Sequence, residues 1–232
     1  YDIPQEEVEV LLPSLIVLNR LLKYTVNDSI LLSNVLLSDA VMFEMLFPKE
    51  ASFVVKAYEE FTLQSATSIA ERFGRDIGHI SRVSSVALEI YDKMKKLHGY
   101  KLRERTLLQV SAILQDIGKY VNVKNHALLS YNTITNLDIV GINDHERLII
   151  ATVCYYHNGN IPSMDSPIYN QLSQEDRVMV SKLAAILQIS NAINTSHSPK
   201  FEQVSVNMKN GKLNIYLTTL KNINLEKWAF IA

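Results

Sequence analysis

The sequence predicts a mainly helical fold that ends in a β-hairpin and is preceded by a smaller α/β segment. Glycine is scarce, with 7 in 232 residues. Apolar residues recur with helical spacing through most of the chain. From residue 203 the apolar spacing changes to two, on both sides of Asn210-Gly211. That dipeptide is the strongest short signal for a hairpin turn.

The N-terminal segment is predicted to combine helices with one short strand. A broad apolar stripe over residues 6–24 predicts a helix that Pro13 interrupts near its start. Residues 29–33 form a short apolar run that fits a strand. Residues 39–46 fit a short helix, which Pro48 ends.

A domain boundary is expected at Gly74, after a long helix over residues 51–73. The segment before this boundary is α/β-like and incomplete, because one strand cannot form a sheet alone. We therefore divide the chain into residues 1–74 and residues 75–232, and we expect the hairpin at residues 203–218 to pack on the edge of the helical part.

Five helices are expected in the second part. Gly99 ends the first of them. Asn143 with Glu146, and Ser173 with Asp176, have the spacing of capping pairs at helix starts. The five helices cover residues 76–99, 104–116, 125–137, 143–157 and 173–191, with a loop over residues 158–172.

The composition excludes several classes of function. The net charge is −1, so the chain lacks the overall basic character of a nucleic-acid-binding protein. No apolar run is long enough to span a membrane, and no N-terminal segment resembles a signal peptide. The single cysteine, Cys154, has no partner in the chain, which favours a reducing compartment. We expect a cytoplasmic protein that binds neither nucleic acid nor membrane.

Four polar features stand out because they come from separate helices, three of them at or near helix ends. Imidazole and carboxylate groups from several helices commonly form a metal or phosphate site. Each feature also has an ordinary explanation as a core histidine, a cap or turn residue, or a charge that suits a helix end. The four are His79, Gln115-Asp116-Ile117-Gly118-Lys119, Asn125-His126 and Tyr156-His157.

The run ILQDIGKY at residues 113–120 resembles the LLHDIGK signature of HD-domain phosphohydrolases. The wider order of motifs over residues 70–232 resembles the HD domain at the C-terminal end of the exopolyphosphatase/guanosine-pentaphosphatase (Ppx/GppA) family. The other motifs that carry this resemblance are Arg72-Phe73-Gly74-Arg75-Asp76 with His79, Leu97-His98-Gly99, Tyr156-His157, Leu183-Ala184-Ala185-Ile186-Leu187 with Asn191-Ala192, and residues 225–230.

Residues 1–74 resemble the last segment of that family's actin-like (ASKHA) catalytic domain, followed by a connecting helix. The matching stretches are residues 11–14 and 37–41, where Ser14, Ser38 and Ala40 replace the usual glycines and arginine. The resemblance implies that the phosphate-binding segments and catalytic carboxylates of that domain would lie before Tyr1.

The resemblance also implies a degenerate metal site. HD hydrolases hold the metal with one histidine, an adjacent His-Asp pair and a later aspartate, which correspond here to His79, Gln115, Asp116 and Asn191. Two of these four are neutral amides, which are weak ligands for transition metals. His79 and Asp116 remain as metal-ligand candidates. We expect no tightly bound cofactor and at most a weakly bound divalent metal.

Lys119, His126 and His157 are the candidate phosphate-binding residues. Three imidazoles and a carboxylate would suffice for a metal, and protonated imidazoles with Lys119 would equally suit a phosphate, so both possibilities remain open. A basic stretch could guide a polyanion or could be a solvated helix end. It consists of Lys93, Lys95, Lys96, Lys101, Arg103 and Arg105.

The leading hypothesis is the C-terminal part of a Ppx/GppA-like phosphohydrolase. It would contribute substrate binding, dimerisation or regulation, with a polyphosphate or pppGpp-like ligand bound by the full-length protein. No catalytic residue is assigned in this chain, and a homodimer is expected. The alternatives are an autonomous metal-dependent HD phosphohydrolase acting on a nucleotide, and a non-catalytic interaction module.

Overall fold

The computed structural model describes residues 5–25, 41–42, 45–46, 52–195, 201–209 and 211–219. The chain divides into two compact units, Tyr1–Ser52 and Phe53–Ala232. In the first unit, helix α1 spans Gln5–Lys23. The predicted strand at residues 29–33 lies outside the described residues. Only positions 41–42 and 45–46 of the second predicted helix are described, and they are helical.

Helix α1 runs unbroken through Pro13, so the prediction that this proline interrupts the helix was wrong. A proline inside a helix removes one backbone hydrogen bond and crowds the preceding turn, at a cost of about 3 kcal/mol. The hydroxyl of Ser14 donates to the carbonyl of Val10 at 2.7 Å. This bond adds one contact in the turn that the proline weakens.

The described part of the second unit contains helices and one pair of strands, which confirms the predicted mainly helical fold with a C-terminal hairpin. The elements are α2 (Ser52–Arg72), α3 (Ile77–Lys93), α4 (Lys95–His98), α5 (Leu102–Leu114), the 3-10 helix η1 (Ile117–Tyr120), α6 (His126–Ile134), α7 (Asp144–Tyr156), α8 (Pro167–Asn170), α9 (Gln174–Ile193), β1 (Phe201–Lys209) and β2 (Lys212–Thr219).

Helix α2 belongs to the second compact unit, whereas the predicted boundary at Gly74 places it in the first part. Its residues Thr62, Ala66 and Ala70 are completely buried, and Ala66 and Ala70 belong to the core of the second unit. These side chains recur every four residues, so one face of the helix packs inward. The boundary by contacts therefore lies between Ser52 and Phe53. The actin-like character of residues 1–74 stays a prediction.

Four helices surround the core of the second unit. Helix α3 contacts α5 and α9, and α7 contacts the same two helices from the other side. Helix α6 packs against both α7 and η1. This arrangement brings the C-terminal end of α5, the N-terminal end of α6 and the C-terminal end of α7 towards one region, where the candidate site lies.

The predicted capping pairs form as expected. The side chain of Asn143 accepts from the backbone amide of Glu146 at 2.9 Å. At the start of α9, Ser173 accepts from the amide of Asp176 at 3.1 Å. The predicted loop at residues 158–172 differs in containing the short helix α8, which begins at a proline that suits the first helical position.

The first predicted helix of this unit is broken at Met94 into α3 and α4. The ring of His98 accepts at Nδ1 from the amide of Tyr100, so its Nε2 donates to the carbonyl of Tyr91 at 2.8 Å. A side chain thereby satisfies a carbonyl near the end of α3, where backbone bonding changes. Gly99 ends α4 in the left-handed conformation, with φ of 71°.

The two strands form an antiparallel hairpin in which Lys209 pairs with Lys212. Gly211 has φ of 72°, the positive value that a two-residue hairpin turn requires. Strand β1 contacts α3, and Val206 is buried in the core. The hairpin therefore closes one side of the helical unit, as predicted.

Candidate functional site

The site is organised around Asp116, which lies between the end of α5 and the start of η1. Its side chain is 8% exposed, and its Oδ2 accepts from the ammonium of Lys119 at 2.7 Å. The two residues are three apart, so the turn of η1 brings them together. The guanidinium of Arg75 donates to the backbone carbonyl of Asp116 at 3.2 Å. A buried carboxylate is thus held at one oxygen by a cation that solvent partly reaches.

The other oxygen of Asp116 faces two buried histidines. His126 opens α6 and His157 follows the last residue of α7. The Nε2 atom of His157 lies 3.2 Å from Oδ1 of Asp116, and that of His126 lies 3.6 Å from it. The two Nε2 atoms are 3.3 Å apart. Residues from three separate helix ends therefore bring one oxygen and two nitrogens together.

Each imidazole is fixed by a backbone carbonyl of its own helix end. Nδ1 of His126 lies 2.7 Å from the carbonyl of Val123, and Nδ1 of His157 lies 2.5 Å from that of Cys154. A carbonyl oxygen only accepts, so both Nδ1 atoms carry the proton. Nε2 of each ring therefore faces Asp116 and can act as an acceptor in the neutral ring or as a donor in the protonated one.

A close approach between η1 and α6 sets the spacing of these groups. A β-carbon at Gly118 would lie 2.2 Å from the carbonyl oxygen of His126 and 2.5 Å from the amide nitrogen of Ser130. The hydroxyl of Ser130 also accepts from the amide of Gly118 at 2.9 Å and donates to the carbonyl of Gln115 at 2.8 Å. Glycine at position 118 is therefore what allows His126 to reach Asp116.

Asp116 also borders a small cavity. Its volume is about 10 Å³, room for about one water molecule. His79 and Asp116 both line it, so the two predicted metal ligands share one cavity. The side chain of Gln115, 1% exposed, also lines it. Its amide makes no hydrogen bond within the part of the chain that the structure describes.

The charges in the site follow from burial and from the neighbouring groups. Burial by itself raises the pKa of Asp116, but the hydrogen bond and charge of His157, together with Lys119, outweigh it, so this pKa lies well below its usual range. Burial lowers the pKa of His126 and favours its neutral ring. At neutral pH, Asp116 is therefore an anion beside a neutral imidazole.

The structure brings the predicted residues together in two overlapping groups. Asp116, His126 and His157 offer ligand atoms within 4.8 Å of one another, a group that does not include His79. Lys119 contacts this group through Asp116. The metal-binding role of His79 and the phosphate-binding roles of Lys119, His126 and His157 stay predictions.

The four-residue ligand set implied by the HD resemblance does not fit a metal well. At position 115 the structure has a buried amide without a hydrogen-bond partner among the described residues, where a histidine would supply a nitrogen ligand. At position 191 another amide stands in place of a carboxylate. Neutral amides bind transition metals weakly, so no chemistry is assigned to a metal held by that set.

Two contributors to the site, Arg75 and Ser130, were missed from the sequence. Ser130 lies one helical turn after His126, and this spacing places both on the same face of α6. A small polar residue at that distance from a candidate histidine was an available signal. Arg75 belongs to a motif named above, but its contact could not be predicted because its partner is the carbonyl of Asp116, 41 positions away.

Three of the six basic residues at positions 93–105 pair with acidic neighbours. Arg103 forms two hydrogen bonds with the carboxylate of Glu146. Arg105 is likewise bidentate to Asp92. The nitrogen of Lys93 lies 3.9 Å from a carboxylate oxygen of Glu89. These pairs favour a structural explanation of the stretch.

Comparison with models of known protein families finds a match to "Ppx/GppA phosphatase, domain III" over residues 63–230. The match begins within α2, which agrees with the place of this helix in the second unit. None of the helices in the described ranges is both long and apolar enough to cross a membrane. The expected homodimer and cytoplasmic location stay predictions.

Proposed function

The chain belongs to the Ppx/GppA phosphatase family. We propose that it forms part of a phosphohydrolase of that family, where it binds a phosphate-rich ligand and does not itself hydrolyse that ligand. In this proposal the ligand is polyphosphate or a pppGpp-like nucleotide, and hydrolysis depends on residues outside this chain. Lys119 makes the first contact with the ligand, and His126 and His157 add positive charge when they are protonated.

The observation that carries the proposal is the exposure of Lys119 relative to its neighbours. The side chain of Lys119 is 23% exposed, whereas that of Asp116 is 8% exposed and that of His157 is 1% exposed. An ammonium has three donors, and within the described ranges only Asp116 accepts from one of them, which leaves the others for a phosphate oxygen. Phosphate would therefore reach Lys119 before it reached Asp116 or His157.

The absence of hydrolysis in the proposal rests on the space and the charge around Asp116. Phosphoryl transfer needs positioned phosphates and concentrated positive charge, commonly from metal ions. The cavity beside Asp116 and His79 holds about one water molecule. A phosphate chain does not fit there, and two of the implied metal ligands, Gln115 and Asn191, are amides.

The test measures binding and turnover separately. Labelled polyphosphate is titrated with the chain and with the variant Lys119→Ala, using fluorescence anisotropy. Lys124→Ala is the matched control, because it removes an exposed lysine of the same charge five positions away. We expect weaker binding, by about 10-fold to 100-fold, for Lys119→Ala only, which corresponds to the loss of one charge-assisted hydrogen bond. Equal affinity of the two variants would contradict the assigned role.

Turnover is followed as phosphate release from polyphosphate, pppGpp and a generic phosphodiester, with Mg²⁺ or Mn²⁺ present. We expect no enzyme-like rate from this chain alone. Release restored only when the remaining part of the family's catalytic domain is supplied would support the proposal.

A second candidate function is an autonomous metal-dependent HD phosphohydrolase. It is favoured by the convergence of Asp116 with His126 and His157. Robust turnover by the chain alone, lost in His79→Ala or Asp116→Ala, would establish this candidate and overturn the first.

A further inference from the structure

An apolar groove of about 310 Å³ lies in the second unit and shares no lining residue with the cavity beside Asp116. We propose that this groove binds an alkyl carboxylate, with the alkyl chain against its apolar wall and the carboxylate on the ammonium of Lys182. The proposal does not depend on phosphate binding by Lys119. The apolar wall consists of Met94, Leu97, Ala185, Ile186, Ile189 and Leu213.

The groove is formed by helix α9, the break between α3 and α4, and strand β2. Helix α9 supplies Ala185 and Ile189, which are four residues apart and therefore lie on one face of the helix. The break contributes Met94, and β2 contributes Leu213. Ile186 also lines the groove and is 3% exposed, so the groove has a buried floor. A ligand in it would be contacted by all three parts of the fold.

The polar residues of the lining leave one group for a ligand. Both ring nitrogens of His98 bond to backbone groups. The hydroxyl of Ser181 pairs with that of Tyr169 at 2.8 Å. Lys182 makes no ion pair with the part of the chain that the structure describes. Among the described residues of the lining, its ammonium is therefore the polar group that remains for recognition.

The ammonium of Lys182 is held over an aromatic ring. Its nitrogen lies 4.9 Å from the centre of the Tyr100 ring, within the range of a cation–π contact. The Tyr100 ring in turn stacks on the buried ring of His98, with centroids 5.3 Å apart. A ring face attracts the charge without accepting an ordinary hydrogen bond from it. The donors of Lys182 are therefore available to a carboxylate.

The lining selects one class of ligand. Aliphatic side chains can cover an alkyl chain, but they offer no partners to the many polar groups of a nucleotide or a sugar, which are costly to bury unpaired. The charge of Lys182 attracts an anion and repels a cation. A ligand with an alkyl chain and one carboxylate therefore matches both the apolar wall and the single ammonium.

The volume of the groove sets the length of the alkyl chain. About 310 Å³ is near the lower end of the range of about 300–1,000 Å³ for small-molecule sites. A methylene group takes up about as much space as a water molecule in the liquid, about 30 Å³. The groove therefore accommodates about ten carbon atoms, and decanoate is the matching probe.

The test is isothermal titration calorimetry of the full chain with decanoate, for which we expect binding of one equivalent. Octanoate, two methylenes shorter, should bind about 4-fold to 15-fold more weakly, which corresponds to half burial to full burial of those two groups. The alcohol 1-octanol has the chain of octanoate without its charge. It should bind about 2-fold to 5-fold more weakly than octanoate, the range of an exposed ion pair.

Two variants locate the ligand. Lys182→Met keeps an apolar stem and should weaken decanoate binding by about 2-fold to 5-fold without changing 1-octanol binding. Ala185→Phe places a ring in the groove and should weaken decanoate binding by about 10-fold or more. The matched controls are Lys124→Met and Val178→Phe, which make the same changes at exposed positions outside the lining. Circular dichroism checks that each variant is folded.

Several results would overturn the proposal. Absence of decanoate binding by the wild-type chain would leave a protein segment as the occupant of the groove. Equal affinities for decanoate and octanoate would mean that the chain is not buried, and equal affinities for octanoate and 1-octanol would mean that no cation recognises the carboxylate. Undiminished binding in Ala185→Phe would place the ligand elsewhere. The ligand series decides by itself, even if a variant fails to fold.

Discussion

Replacing Gly118 with alanine should destabilise the fold and separate the two halves of the candidate site. The added methyl group would lie 2.2 Å from the carbonyl oxygen of His126, 2.5 Å from the amide nitrogen of Ser130 and 2.9 Å from the β-carbon of Leu129. Two of these atoms are backbone, so no side-chain rotation relieves the clash. Helix α6 must move away from η1.

The magnitude follows from the size of that movement. An ordinary contact distance is about 3.4 Å, so the oxygen of His126 must move by about 1.2 Å. Overpacking of this kind typically costs about 1–3 kcal/mol. For a domain of 150–250 residues, each kcal/mol lowers Tm by about 2–4 °C. We expect the Tm of Gly118→Ala to fall by about 2–12 °C.

The assay is thermal unfolding followed by circular dichroism, with Gly78→Ala as the matched control. A β-carbon at Gly78 would meet the carboxylate of Asp76 at 3.2 Å and the guanidinium of Arg82 at 3.3 Å. Both are the far ends of flexible side chains and can give way. Since alanine favours a helix over glycine by up to about 1 kcal/mol, Gly78→Ala should be neutral or stabilising.

The two variants therefore have opposite expected signs for the same chemical change. A Gly118→Ala protein as stable as the wild type would refute the argument, because η1 and α6 would then not be in close backbone contact. The spacing of His126 from Asp116 would also lose its explanation.

Three further predictions concern separate features of the molecule. Burial raises the pKa of Glu146, but hydrogen bonds from Arg103 outweigh this effect and leave the pKa lowered. Glu146→Gln should therefore lose about 1 kcal/mol of stability at pH 7, and this difference from the wild type should disappear as the pH falls below the ordinary glutamate pKa. Urea unfolding at several pH values measures the difference. The double variant Gln115→His with Asn191→Asp should bind more metal per chain than the wild type, measured by elemental analysis, if these positions correspond to the HD ligands; unchanged content would contradict that correspondence. Burial raises the pKa of the Cys154 thiol well above its usual value, so a thiol reagent should label it only after unfolding, and rapid labelling of the native chain would contradict its complete burial.

The helix ends could be predicted because their signals are local. Asn143 and Ser173 each bond an amide three positions on, as their spacing indicated. Gly99 adopts the positive φ for which glycine is favoured, and the turn at Gly211 does the same for the hairpin. Such features depend on a few neighbouring residues and on backbone geometry, so the sequence alone contains them. The continuity of α1 through Pro13 did not follow from the sequence, because the free-energy cost of the proline can be offset by the other residues of the helix.

The sequence by itself determined a mainly helical chain with a terminal hairpin, and it identified Asp116, His126 and His157 as residues that could meet. Only the tertiary structure decided how they meet. His126 and His157 are 31 positions apart, and the packing of α6 on α7 brings their rings to 3.3 Å. The carbonyls that direct each Nε2 inward also become visible only in the folded chain. Spacing along the chain reports which side chains share a helix face, but the distance and direction between atoms of different helices depend on how those helices pack.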